Sequence, residues 1–250
     1  MDLPKNTFKQ ALADMRMQRG LWCQLTDPLA AEMLAGAGYD WMLFDTEHSP
    51  LESASVLPLL QAAAPFPVSC IVRPTSLNVA QIKKILDLGA ETILVPMVQD
   101  AEEAALAVAA VRYPPHGIRG VAGATRSAGF GRIKGYHASA HEETCLLVQL
   151  ETAQALTQIE AVAAVEGVDG IFIGPADLAA SMGHPGNPGH PEVKAAILDG
   201  IRRIRAAGKA PGILAVDPSL YEAAIEAGAG FVSKTIDLLA LRDAVARGLA

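Results

Sequence analysis

The sequence predicts an α/β chain folded as a (β/α)8 TIM barrel, one domain over residues 1–250 with a leading N-terminal helix. Three observations carry this. Eight short runs rich in Val, Ile and Leu recur along the chain, with helical segments between them. The runs rarely alternate with polar residues, as expected of strands covered on both faces. The helical segments close on a glycine shortly before the next run, at Gly36 or Gly38, Gly89, Gly167, Gly208 and Gly228, and glycine suits the left-handed residue that commonly ends a helix. A doubly wound open sheet is the alternative. No Gly-x-Gly-x-x-Gly or Gly-x-x-x-x-Gly-Lys-Ser/Thr fingerprint supports it.

In order, the chain begins with a helix over about residues 6–17, and the first strand is expected at 21–25. Further strands are expected at 41–45, 68–73, 92–98, 144–150, 170–173, 212–216 and 231–235. Residues 113–143 stand apart, with Pro114, Pro115, several glycines and Arg119, Arg126 and Arg132. A loop this long is usually functional or an interface element. Following the fourth strand, it is expected to overhang the strand C-terminal face. A second loop, 181–191, follows the sixth strand on the same rim.

At 51% hydrophobic, 19% charged and 5% aromatic, the composition is that of a globular chain. The net charge of −7 argues against nucleic acid or anionic membrane as partner. No apolar run reaches membrane-spanning length, and the start has no signal-peptide core. Cys23, Cys70 and Cys145 are widely spaced within apolar runs and read as buried thiols of a reducing cytoplasm.

Barrel enzymes hold their active sites at the strand C-terminal face. Charged and polar residues gather at those ends here: Trp22 and Gln24, then Asp45, Glu47 and His48, then Arg73, Gln149 and Glu151, and finally Asp177. Strands lie about 4.8 Å apart, so Glu151 and Asp177, one strand–helix unit apart, suit a shared divalent ion that keeps positions for water and substrate. Such an ion acts as a Lewis acid on the carbonyl of a chelating α-keto acid. Arg73 offers a permanently charged fork to the oxygen that gains charge, and His48 moves protons near neutrality. Taken singly, each residue has an equally good structural role, as helix cap, loop histidine or surface ion pair. Their convergence at one end of one barrel favours a site. The remaining histidines, His116, His137, His141, His184 and His190, read as solvated loop residues.

The chain also resembles a known family. The stretches that carry the likeness are Gly20-Leu21-Trp22, Asp45-Thr46-Glu47-His48, Val72-Arg73-Pro74, Leu94-Val95-Pro96-Met97-Val98 and Arg112-Tyr113-Pro114-Pro115. Gln149-Leu150-Glu151-Thr152, Ile173-Gly174-Pro175-Ala176-Asp177-Leu178 and Gly208-Lys209-Ala210-Pro211-Gly212 complete it. In this order they resemble the class II pyruvate-dependent aldolases, typified by 4-hydroxy-2-oxoheptanedioate and 2-dehydro-3-deoxyglucarate aldolase. The resemblance implies a divalent metal on Glu151 and Asp177, whose oxygen donors admit Mg²⁺, Mn²⁺ or Co²⁺, and pyruvate held by Gln149 and the backbone of Ala176; Trp22, at the end of the first strand, joins Arg73 as a further candidate for substrate binding. It also implies enolate stabilisation by Arg73, proton transfer by His48 with Asp87 raising its basicity, and a homo-hexamer built as a trimer of dimers. Asp87 sits uneasily, near a helix end that the topology puts at the opposite face from His48. Either a neighbouring subunit supplies it or the helix boundary lies elsewhere.

The leading expectation is a cytoplasmic lyase joining pyruvate and an aldehyde reversibly, in aromatic or sugar-acid catabolism. Lys234, near the end of the eighth strand, departs from the family's small apolar segment. It leaves open a Schiff-base aldolase, against a lysine that snorkels to the rim. A non-catalytic keto-acid-binding barrel is the third reading.

Overall fold

Asn6 starts the ordered core. In the computed structural model, which describes residues 1–248, its side chain accepts the Lys9 N–H at 2.9 Å and caps the helix Thr7–Ala13. Its amide also donates to Thr92 Oγ1 and Glu143 O, at 3.0 and 2.9 Å, which pins this helix under the barrel. The helix is shorter than expected, because Met15 takes a positive φ of 53° and turns the chain into the first strand.

Eight parallel strands follow: β1 (Gln18–Cys23), β2 (Trp41–Asp45), β3 (Ser69–Arg73), β4 (Thr92–Val95), β5 (Cys145–Leu150), β6 (Gly170–Ile173), β7 (Ala210–Leu214) and β8 (Phe231–Ile236). They pair in sequence order and close, β1 against β8, into a barrel. Three strands depart from expectation by more than one residue. β1 and β7 begin earlier, and β4 stops at Val95 because Pro96 has no N–H to give the ladder and Met97 takes φ 56°.

Side chains of alternate residues point inward and form a lumen core from Phe8, Trp22, Trp41, Leu43, Ile71, Leu94, Leu147, Phe172 and Phe231. Phe8 plugs the strand N-terminal end, edge-on to Trp41 and Phe231 at 6.3 and 5.8 Å. The large rings fit because small residues face them. A Cβ on Gly20 would fall within the Trp41 ring, and one on Gly212 within that of Phe231. The outward residues of the strands form a second core against the helices.

The long segment after β4 does not overhang the C-terminal face. The helix Ala101–Val111 intervenes and carries the chain back, so the segment lies at the strand N-terminal end. There Arg126 donates to Leu88 O at 2.8 Å and Ser127 N–H to Asp87 O at 3.3 Å. It is also partly helical, at Tyr136–Glu143. The second loop does sit on the C-terminal rim, between the short helix Pro175–Ser181 and the returning helix Pro191–Ala206.

Candidate active site

The alternation that buries Trp41 and Leu43 in the lumen sends Asp45 inward as well, and on β3 it does the same for Arg73 after Ile71. Asp45 and Arg73 are register partners across β2 and β3, so their side chains meet at the top of the lumen. Arg73 Nε and Nη2 donate to the two Asp45 oxygens at 2.9 and 2.7 Å. Trp22 Nε1 donates to Asp45 Oδ2 at 3.1 Å, and the Trp22 ring lies under the guanidinium at 4.7 Å. Burial pushes the Asp45 carboxyl up, but the hydrogen bonds and charge of Arg73, helped by Trp22 and the Glu47 N–H, outweigh it and hold the pKa at about 2. Arg73 thus has its plane fixed from below and from one edge, and some of its five donors remain for another acceptor.

Glu47 faces the same guanidinium. Its Oε2 lies 2.9 Å from Arg73 Nη1 but out of line for a hydrogen bond, which leaves a buried acceptor without a donor. Burial raises its pKa; Arg73 opposes this, while Asp45 and Asp177 add to it. His48 stands further out, its side chain 60% exposed and Nε2 3.9 Å from Glu47 Oε2.

Across the lumen, β5 delivers Gln149 and then Glu151. Glu151 Oε1 accepts the Met97 N–H at 2.9 Å, and Oε2 accepts Gln149 Nε2 at 2.5 Å. Gly174 makes this possible, because a Cβ there would collide with the Glu151 carboxylate. Burial is the main force lifting the Glu151 pKa to about 7; its two hydrogen bonds oppose this, and Asp177 and Glu47 add repulsion. Asp177 lies in the first turn of the helix Pro175–Ser181, exposed at the rim with Ala176, whose N–H lies in the helix's first turn, where N–H groups have no intrahelical partner. Gln149 Oε1 is a second buried acceptor without a donor.

This end of the barrel therefore gathers Glu47, Glu151 and Asp177 with two orphaned acceptor oxygens against a single arginine. Such an excess of oxygen acceptors fits a hard divalent ion. Among the described residues no third His, Cys, Asp or Glu closes tightly on Glu151 and Asp177.

The remaining expected residues fall elsewhere. Trp22 is only 2% exposed and supports Arg73 from beneath, out of reach of a ligand in the mouth. Within one chain Asp87 does not approach His48. It closes the helix Val79–Asp87 at the opposite end of the barrel and accepts from Arg119 Nη2 at 2.8 Å. Lys234 points out of the barrel, since Phe231 is the inward residue and Lys234 differs in parity. Its Nζ lies 5.9 Å over the Tyr221 ring, which removes it as a Schiff-base lysine for this lumen. Sequence reasoning left Asp45 and Glu47 without a role and missed Met97. The signals were there in Asp45-Thr46-Glu47-His48 and in Pro96 ending its strand early. A cavity of about 690 Å³ lies at the other end, lined by Lys5, Glu91, Arg126 and Phe130, away from this constellation.

The family model described as HpcH/HpaI aldolase/citrate lyase matches residues 18–244. A pyruvate aldolase of Rhizobium etli is 55% identical over 96% of this chain and 95% of its own length. A 4-hydroxy-2-oxo-heptane-1,7-dioate aldolase of Klebsiella pneumoniae is 54% identical over 93% and 88%. Among solved structures, an HpcH/HpaI aldolase/citrate lyase family protein from Burkholderia cenocepacia superposes with a TM-score of 0.95 at 38% identity, covering 98% of both chains.

Proposed function

The chain belongs to the HpcH/HpaI aldolase/citrate lyase family, and from that membership we propose that it reversibly cleaves 4-hydroxy-2-oxo acids to pyruvate and an aldehyde at the C-terminal mouth of its barrel. The observation that carries this reading is the Asp45–Arg73 register pair facing the acceptor-rich Glu47, Glu151 and Asp177. Glu151 and Asp177 are the residues to hold the divalent ion, Mg²⁺, Mn²⁺ or Co²⁺. When bound, the ion supplies Lewis-acid polarisation of the 2-keto oxygen.

The chain's own residues do the rest. Gln149 and the Ala176 N–H orient the pyruvyl end. Arg73, immobilised by Asp45 and Trp22, directs its remaining donors at the oxygen that becomes negative. Loss of the 4-hydroxyl proton, the step we assign to His48, lets the C3–C4 bond break. The aldehyde leaves, and the electron pair stays on the pyruvyl fragment as its enolate. Protonation at C3 gives pyruvate, and the reverse sequence is the aldol addition. Asp87 joins His48 only across a subunit contact. Leu238, Leu241 and Val245, exposed along the helix Asp237–Arg247, support an exchanged helix in a hexamer. The free cysteines support a reducing cytoplasm, and no helix among the described residues is long and apolar enough to cross a membrane.

Proton NMR of pyruvate in D2O tests the enolisation without knowledge of the aldehyde. Exchange of the methyl protons that needs a divalent ion and stops with chelator is expected. A folded, metal-loaded enzyme that exchanges none would overturn the proposal.

A further inference from the structure

The rim loop after the helix Pro175–Ser181 holds a cluster that the aldolase chemistry does not use. The sequence suggests solvated imidazoles at His184 and His190. Instead both are half-buried and stacked, with ring centroids 3.5 Å apart and planes 15° from parallel. Glu192, in the first turn of the helix Pro191–Ala206, places Oε2 3.2 Å from His184 Nε2. One ligand atom from each of the three lies within 4.8 Å of the others, and among the described residues no other trio of His, Cys, Asp or Glu side chains comes so close.

We propose that His184, His190 and Glu192 form a second metal site, for Zn²⁺ or a similar transition ion, separate from the oxygen-only pair at the barrel mouth. Bonds of ~2.0–2.1 Å in a tetrahedron set its edges at about 3.3–3.4 Å. The contact between His184 Nε2 and Glu192 Oε2, 3.2 Å, already spans one such edge. His190 Nδ1 accepts the Glu192 N–H at 3.3 Å, a long cap bond that gives way when the ring turns toward an ion. Water fills the fourth position. Two imidazoles and one carboxylate select Zn²⁺, Co²⁺ or Cu²⁺ over Mg²⁺, which prefers oxygen and keeps its waters. The consequence is mechanical. His184 N–H bonds Ala179 O at 2.8 Å, within the short helix that bears Asp177, so an ion bridging to Glu192 would tie that helix to the next.

The site depends on these three residues and not on the aldolase reading, so the test uses Glu151→Ala protein in excess Mg²⁺. After dialysis against Zn²⁺, one tightly held zinc per chain is expected by elemental analysis. Co²⁺ in its place should give the intense visible bands of tetrahedral nitrogen ligation. His184→Gln, which spares the helix cap, and His190→Ala should each weaken zinc by at least about tenfold, the lower end of what even outer-shell changes cost a metal site, and should abolish the cobalt bands. No retained zinc, or zinc held as tightly by both variants as by the parent, would overturn the proposal.

Discussion

Two aspartate–arginine pairs occupy opposite ends of this barrel, and they are built differently. Asp45 is fully buried and grips Arg73 through both oxygens, with Trp22 below and Glu47 beside. Asp87 is 24% exposed and holds Arg119 by one contact. Arg119 is itself buried, stacked 4.5 Å over Tyr113, with Nε and Nη1 lacking partners. The first pair fixes a guanidinium in one orientation above a lumen. The second leaves guanidinium donors unpaired in the interior and part of a carboxylate exposed at an outer surface. A two-point grip fixes a guanidinium's plane, while a single contact leaves it less constrained.

The hardest way to break the upper end is to remove a carboxylate facing Arg73. Glu151→Ala should cost about 10³-fold or more in turnover, the loss of several kcal/mol of Lewis-acid stabilisation, with no rescue when Mn²⁺ is titrated against activity. Mn²⁺-dependent turnover near the parent's would take Glu151 out of the ligand set. Arg73→Ala should lower turnover about 10²–10³-fold, as loss of one transition-state charge stabiliser does. Near-normal kcat in a folded variant would refute its role.

Asp45 sharpens the comparison through pH. Its folded pKa of about 2 lies below the ordinary 3.8, so on acidification the unfolded chain takes up the proton first. The stabilisation is complete above about pH 5 and is lost as pH falls through about 2, and it amounts to about 2 kcal/mol. Urea melts of Asp45→Asn should lack that acid-dependent share. An unchanged pH profile would mean that the pair contributes nothing to folding.

The lower pair gives a smaller, diagnostic effect. Asp87→Asn keeps an acceptor for Arg119 but removes the charge that would act on a neighbour's His48. Turnover should fall about tenfold, the scale of losing an outer partner, and the melting temperature should fall as well, since buried Arg119 loses its counter-charge. Loss of stability without loss of turnover would make Asp87 an anchor only. The least effect belongs to Lys234→Met, with kcat unaltered and stability within about 0.5 kcal/mol. Trapping of a borohydride-stable pyruvate adduct at Lys234 would contradict its outward placement.

Much of this was legible in the sequence because strand ends announce themselves. Glu151, Asp177 and Arg73 stand out as charges terminating apolar runs, and the helix-ending glycines are where the chain needs them, as at Gly89 with φ 98° and Gly228 with φ 104°. What escaped depends on relations between strands. The Asp45–Arg73 pairing needs the register of β2 on β3, and the fate of Lys234 needs the parity of β8. The long segment lies at the strand N-terminal end because the helix Ala101–Val111 stands between it and the fourth strand, a reversal that adjacency along the chain does not show. The pairing of Asp87 with Arg119 follows from that same placement.

The register match of Asp45 with Arg73 also bears on how such a chain can change. Adding or deleting a single residue in β2 or β3 would turn one member of the pair out of the barrel and reverse every neighbour's facing. Insertions and deletions are thereby barred from the strands that carry the chemistry, while the loop between Ser181 and Pro191 can lengthen, shorten or take on a metal. Divergence toward new aldehydes is channelled into the rim, and the bond-breaking apparatus is inherited whole.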